Sequence, residues 1–283
     1  MVETLSISNS EFKLIAQLVY SKFGINLTDK KKSLVAGRLN KVIRSKNLSS
    51  FKEYYRYIIN DETSSELLEL IDHISTNHSY FNREKEHFEF LRKKLLPDLL
   101  LSRKLHNLQD IRAWCAGCAN GEEAYTLTMV MNEFALEAKL KNDSSKLLLA
   151  TDISTTALAN AQGANYGKEK LRPLKKDFLL KYLLKVGDQY QIKAHIKNLI
   201  LFKRFNLMNE RFPFRNKFDF IFCRNVMIYF DSETRQRLIK KFYDSLEPGG
   251  YLFIGHSETI DRRTSDFQYI QPAIYRKPLR IVS

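Results

Sequence analysis

Two stretches of this chain hold residues whose types and spacing could do chemistry. Ile111 to Tyr125 reads IRAWCAGCANGEEAY: an apolar run, a loop with Gly117 and Gly121, then Glu122 and Glu123 opening a helical pattern. Glycines in such a turn let backbone approach a ligand at the carboxyl edge of a parallel sheet, where a switch in strand order opens a crevice. The loop lacks the Lys-Ser/Thr of a phosphate-binding loop and the full G-x-G-x-x-G of dinucleotide sites, and two acids at the helix start would repel a pyrophosphate. A cationic or hydroxyl-rich ligand suits it better. The second stretch, LLLATDIS, ends a further apolar run in Asp152, a carboxylate that could accept hydrogen bonds from ribose beyond the sheet edge. Glycine loop and acidic strand end together point to an adenosine bearing positive charge, as S-adenosylmethionine does. The alternative is that Asp152 only caps the helix starting near Ser154.

Trp114-Cys115-Ala116-Gly117-Cys118 sets up a rival reading, because W-C-x-x-C between a strand and a helix is the thioredoxin-type redox signature. Against it, the loop continues through Ala119, Asn120 and Gly121 before the helix begins, and a basic helical module of about seventy residues has no place in that smaller fold. Cys223 does not complete a zinc site either, since no neighbouring cysteine or histidine gives the usual spacing. No metal is expected.

These residues need elements to position them. From Ser8 to about Ile71 the pattern is helical: Ser8 with Glu11 three residues on reads as a capping box, followed by Phe12, Ile15, Ala16 and Val19. Further helices are predicted at about Asp29 to Lys46, Ser50 to Ile59 and Ser64 to Ile74. In the second of these, Val35, Ala36, Leu39, Val42 and Ile43 share one side, Lys30, Lys41 and Arg44 lie opposite, and Leu34 breaks the segregation. From about Asp110 the grammar changes to short apolar strands alternating with helices: IRAW, KLLLATD, LILFKRF, FDFIFCR and GYLFIGH. This is α/β, a doubly wound sheet, with FQYIQPAIYRKP closing one edge as an antiparallel strand. Lys168 to Lys185 reads as a helical insert. The expected division is an all-α N-terminal domain over 1–74, a linker and connecting helix over 75–109, and a catalytic domain over 110–283 with a small β-subdomain at about 185–205.

Composition bounds the partner. The formal charge is +14 over 283 residues, which fits a macromolecule of net negative charge. The segment from Lys30 to Lys46, with Arg38, Lys41 and Arg44 inside it, contains no acid and reads as a docking surface. MVETLSISNS lacks the basic start and apolar run of a secretion signal, and no apolar stretch approaches the roughly 20 residues of a membrane helix. A cytoplasmic protein with three reduced cysteines is expected.

With those residues in view, the chain resembles the chemotaxis receptor glutamate methyltransferase family, CheR, over nearly its whole length. The resemblance rests on STNHSYFNREKEHF (75–88), RAWCAGCANGEEAYTL (112–127), ATDIS (150–154), FDFIFCRNVMIYFD (218–231) and EPGGYLFIGHSE (247–258), in the family's order. It implies a Rossmann-like methyltransferase sheet that takes S-adenosylmethionine, releases S-adenosylhomocysteine, and esterifies glutamates on the cytoplasmic helical domain of chemoreceptors. Carried across, Asn77, Ser79, Arg83, Gly117, Glu122, Asp152, Asn206, Leu207, Arg224 and Asn225 match cofactor-side positions. Arg83 and Tyr229 match the reacting centre, while Lys30, Arg38, Lys41 and Arg44 are the expected receptor-docking cations. Ser79 stands where the family commonly has threonine, and Asn82 where it has a second aromatic. Some members bind a receptor-end peptide through the β-subdomain. A monomer is expected, with no nucleic acid as partner and no insertion into a membrane.

The implied reaction is in-line attack of a glutamate γ-carboxylate, ionised at neutral pH because its pKa is about 4.3, so no general base is required. Two other readings stand beside this one: a non-catalytic cofactor-binding or docking module, and a nucleic-acid methyltransferase suggested by charge. The FCRNVMIY strand end shows no D/N-P-P-Y/F motif, and Cys223 lacks the Pro-Cys context of cytosine-modifying enzymes.

Overall fold

The computed structural model describes residues 5–103, 110–140 and 146–279; the end of the expected linker, at 104–109, lies outside them. Helix α1 (Asn9–Phe23) starts at the capping box, with the Ser8 hydroxyl taking the Glu11 amide and the Glu11 carboxylate returning to Ser8. It buries Phe12, Ile15, Val19 and Phe23 and stops at Gly24, whose φ of +69° is left-handed. A Cβ at Gly24 would collide with the Met208 thioether, so glycine lets the end of this helix seat on the second domain. Helices α2 (Lys32–Ser45), α3 (Phe51–Ile59) and α4 (Ser65–Ile74) complete the bundle around Val35, Leu39, Ile43, Tyr54, Leu70 and Ile71. One 3₁₀ turn, Asp29–Lys31, precedes α2.

An extended segment leads into α5 (Lys85–Phe90), a π-helical turn at Leu91–Leu95 and α6 (Leu96–Arg103). The second domain is built on β1 (Ala113–Ala116), α7 (Glu122–Glu137), β2 (Leu148–Asp152) and α8 (Thr155–Gly163). After an insert come β6 (Ile200–Arg204), β7 (Phe218–Cys223), α12 (Ser232–Ser245), β8 (Leu246–Ile254), β9 (Gln268–Gln271) and β10 (Ile274–Arg276). The sheet order is β6-β2-β1-β7-β8-β10-β9; its first five strands are parallel. Both faces are covered, which is why β1 and β7 are buried at every position. Cys115, Phe220, Phe222 and Phe253 face the α7 side, and Trp114, Ile221, Cys223 and Leu252 face the α12 side.

The antiparallel edge holds two strands rather than one: Pro272 and Ala273 turn the chain, so β10 pairs with β8 and β9 becomes the edge. The β-subdomain also differs from expectation. It is a three-stranded antiparallel sheet of β3 (Asn165–Gly167), β5 (Gln189–Ile192) and β4 (Leu183–Val186), carrying α9 (Lys168–Leu171) and α10 (Lys176–Tyr182). It thus begins near 165, not 185, and ends before α11 (Ala194–Lys197), while 200–204 is a main-sheet strand. Three residues of β3 are too few to display alternation, and β6 pairs in register with the largely buried β2 instead.

Candidate active site

The chain runs outward from β1 to β2 and β6, then crosses to β7 and β8 on the other side, so the order reverses between β1 and β7. At that switch point lies a cavity of about 370 Å³, within the usual range for small-molecule sites. Part of its wall is formed by residues at or just past the ends of four parallel strands: Gly117–Ala119, Asp152–Ile153, Phe205–Leu207 and Arg224–Val226. The glycine loop is tied down by its own backbone, with the Gly117 and Cys118 amides donating to the Thr151 carbonyl at 2.7 and 2.9 Å. Gly117 has φ +82°, and a Cβ there would run into the Val226 side chain. Only glycine leaves the loop this close to the β7 edge.

Asp152 accepts from the Ala119 amide at 2.8 Å through one oxygen and from the Ser154 amide at 2.9 Å through the other. The cap of α8 is Ser154 itself, which takes the Ala157 amide at 3.0 Å. Burial raises the Asp152 pKa while the backbone donors pull it down. Each carboxylate oxygen keeps a lone pair for a ligand hydroxyl, so the geometry suits ribose.

The two acids opening α7 diverge. Glu123 lines the cavity, whereas Glu122 is fully buried behind it, 3.1 Å from the Lys170 ammonium, and does not reach the lining. The cofactor contact expected of Glu122 is therefore not what its side chain is placed to make; successive helical residues point about 100° apart, and Lys170 draws Glu122 inward. Glu123 accepts the Arg224 guanidinium at 2.8 Å and the Cys115 thiol at 3.3 Å, and its pKa is raised by burial against the pull of Arg224.

Arg224 is a hub. Its guanidinium also donates to Glu84 at 2.9 and 3.3 Å and to the Arg83 carbonyl, and it stands over the Phe88 and Phe222 rings. It touches the cavity wall, but its donors are spent on protein carboxylates. Asn225 follows in the left-handed region at φ +59°. Its amide donates to Glu258 at 2.9 Å, as do those of Gly255 at 2.6 Å and Ile228 at 3.1 Å. Glu258 is thus a buried clasp on the loop after β7. It faces these amides, so His256-Ser257-Glu258 forms no hydrolytic triad.

Asn77, Ser79 and Arg83 enter the cavity wall from the extended segment between the domains. Asn77 offers its carbonyl to the Asn120 side chain at 2.9 Å, which ties that segment to the glycine loop. Arg83 donates to the His78 carbonyl at a long 3.4 Å and lies 5.8 Å from the Tyr80 ring centre. Tyr229 sits on the 3₁₀ turn after β7, and Leu207 is a buried wall residue. Asn206 donates to the Lys22 carbonyl at 2.8 Å and accepts the Met208 amide.

Sequence reasoning missed the contribution of the helical domain. Phe23, Ile25, Leu27, Lys31 and Leu34 all line the cavity. Ile25 bridges to Phe230, the Asn26 amide donates to the Tyr229 carbonyl at 2.8 Å, and the Lys31 ammonium lies 4.9 Å from the Tyr229 ring centre. Leu34, which broke the helical segregation, is the one signal that this face met another surface. The docking assignment needs correction at Arg38, which donates to the Ser75 carbonyl and the Thr76 hydroxyl, each at 3.1 Å, and to the Ile74 carbonyl. Lys46, at the segment's end, is neutralised by Glu66 at 2.7 Å and Glu69 at 2.8 Å from α4. Lys30 and Lys41 are exposed, and Arg44 is half-buried.

Cys115, Cys118 and Cys223 are free and buried, and burial pushes all three thiols up. They lack the depressed pKa of a redox-active pair. Glu84, His87 and His256 bring possible ligand atoms within 4.8 Å of one another. Because Glu84 already binds Arg224, a dication there would sit against a fixed positive charge.

Comparison with known proteins identifies the family. The family profile described as "CheR methyltransferase, SAM binding domain" matches residues 77–275, and "CheR methyltransferase, all-alpha domain" matches residues 10–75. The chain is 44% identical over 276 residues to a chemotaxis protein methyltransferase of Borreliella burgdorferi, covering 96% of each. It is 31% identical over 279 residues to the chemotaxis protein methyltransferase of Escherichia coli, covering 97% of this chain and 93% of that one. A probable chemotaxis protein methyltransferase of Rhizobium etli is 35% identical over 247 residues, 86% of this chain and 90% of that protein. The chain therefore belongs to the CheR family of S-adenosylmethionine-binding methyltransferases.

Proposed function

We propose that this enzyme transfers the methyl group of S-adenosylmethionine to glutamate γ-carboxylates on the cytoplasmic helices of bacterial chemoreceptors, giving methyl esters for sensory adaptation. The observation that carries the reading is the cavity at the strand-order switch, with Asp152 at one wall and Arg83 and Tyr229 at another. Bound there, S-adenosylmethionine supplies a methyl group activated by sulfonium. What the chain supplies is position and exclusion of water. Asp152 orients ribose hydroxyls, and the Gly117 turn admits the ligand against backbone. Ile25, Leu34, Ile153, Val226 and Phe230, drawn from both domains, wall off solvent. An anion and a sulfonium become neutral as they react, so a dry site favours the step.

Arg83 is the guanidinium we assign to orienting the incoming carboxylate, because Arg224 is already shared between Glu84 and Glu123. For Tyr229 we assign the hydroxyl as the working group: the ammonium of Lys31 already lies over its ring, where a second cation would be repelled. The exposed Lys30 and Lys41 are the cations we assign to the acidic receptor surface. We assign the enzyme to the cytoplasm, as a monomer acting on the receptor's inner domain; among the described residues no helix is long and apolar enough to cross a membrane. The test is transfer of labelled methyl to a purified receptor cytoplasmic fragment, followed by release as methanol in mild base. Base-labile label that disappears when the receptor glutamates are replaced by alanine is expected; label on nucleic acid instead would overturn the assignment.

A further inference from the structure

The inserted subdomain touches the site from behind, and its contacts converge on one lysine. Lys170, on α9, places its ammonium 3.1 Å from Glu122 at the start of α7 and donates to the Ser79 carbonyl of the inter-domain segment. Its own carbonyl accepts the Phe81 amide at 3.2 Å. Three residues on, the Pro173 carbonyl accepts the Asn82 side chain at 3.2 Å. On the neighbouring β3, Tyr166 packs edge-on against Phe81, with ring centres 4.8 Å apart, and donates to the Asn120 carbonyl of the glycine loop at 2.6 Å. Two walls of the cavity, the 77–83 segment and the 117–121 loop, are therefore fastened to the insert.

We propose that Lys170 is a positioning residue for methyl transfer: by bridging Ser79 and Glu122 it fixes the segment that presents Asn77, Ser79 and Arg83 to the cavity. The proposal rests on the methyltransferase reading above. Lys170 does not line the cavity, so it acts only through the groups it holds. The Glu122 carboxylate is fully buried and has no hydrogen-bond donor among the described residues, which makes the lysine its sole close counter-charge there. Removing the ammonium leaves a buried acid uncompensated and releases the Ser79 carbonyl, while the ties of Phe81 and Asn82 to the insert remain, and small displacements of a reacting group cost large factors in rate.

The test compares wild type with Lys170→Met, Lys170→Arg and Lys181→Met by calorimetric titration with S-adenosylhomocysteine and by steady-state transfer to a receptor fragment. Lys181 pairs with Glu133 at 2.7 Å and controls for general loosening of the insert. Lys170→Met should bind S-adenosylhomocysteine about tenfold more weakly and lose about 10- to 100-fold in kcat with the receptor KM unchanged. Lys170→Arg should recover most of both, and Lys181→Met should resemble wild type. Should Lys170→Met not fold, Lys170→Gln, which keeps a donor for Ser79, takes its place. Equal cofactor binding in wild type and the Lys170 variants overturns the proposal alone, as does an equal loss in Lys181→Met. A wild type that binds no S-adenosylhomocysteine overturns the methyltransferase reading itself, a result told apart by that first titration.

Discussion

Acidification should loosen the site from a residue that never touches the ligand. His87 is 1% exposed, ringed by Phe222, Phe253 and His256 at 6.4, 5.8 and 4.8 Å between ring centres. Burial first, and then the Arg224 guanidinium, lowers its pKa from 6.5 to about 3; Glu84, 3.6 Å away, and the Pro272 carbonyl oppose this, and His256 adds to it. The imidazole is therefore neutral in the fold and charged in the unfolded chain below pH 6.5. With the folded value depressed, its stabilisation is whole above about pH 6.5 and is lost as pH falls toward 3. At pH 5, one and a half pH units below the free value, the loss attributable to this side chain is about 2 kcal/mol. Urea unfolding at pH 7 and pH 5, wild type beside His87→Phe, isolates it, because phenylalanine fits an aromatic surround without a proton to gain. The difference between the two pH values should shrink by about 2 kcal/mol in the variant, whatever its absolute stability. An identical pH dependence in both proteins would refute the argument.

Asp152→Ala should weaken S-adenosylhomocysteine binding by at least about tenfold, through lost ribose contacts and a freed glycine loop, as read by calorimetric titration. Arg83→Ala should lower methyl transfer by about 100-fold while the cofactor Kd moves only a few-fold; comparable losses would end the orienting role. Gly117→Ala forces a Cβ against Val226 at φ +82°, so it should cost about 1 to 3 kcal/mol of stability by thermal unfolding and abolish tight cofactor binding. Charge reversal at the exposed Lys30 and Lys41 should raise the receptor KM about tenfold and leave cofactor affinity unchanged, with the effect fading at high salt.

The sequence by itself determined whatever depends on near neighbours. The Ser8 capping box, the helices ending near Lys46, Ile59 and Ile74, and the buried parallel strands were legible because capping and periodicity act over a few residues. Gly117 and Asp152 stood out for the same reason: strand, loop and helix follow one another directly, and strand ends in such a sheet share one edge. Only the tertiary structure decided which charges were spent. Arg224 looks like a cavity cation until Glu84, 140 residues away, and Glu123, 101 away, take its donors. Lys46 and Arg38 looked like free docking charges until α4 and the 74–76 turn folded against them. Glu122 and Glu123 could not be told apart before Lys170 claimed one of them. Local order is written in short-range pattern, whereas the partner of a charge is fixed only when distant segments pack, and that pairing decides which polar groups remain for function.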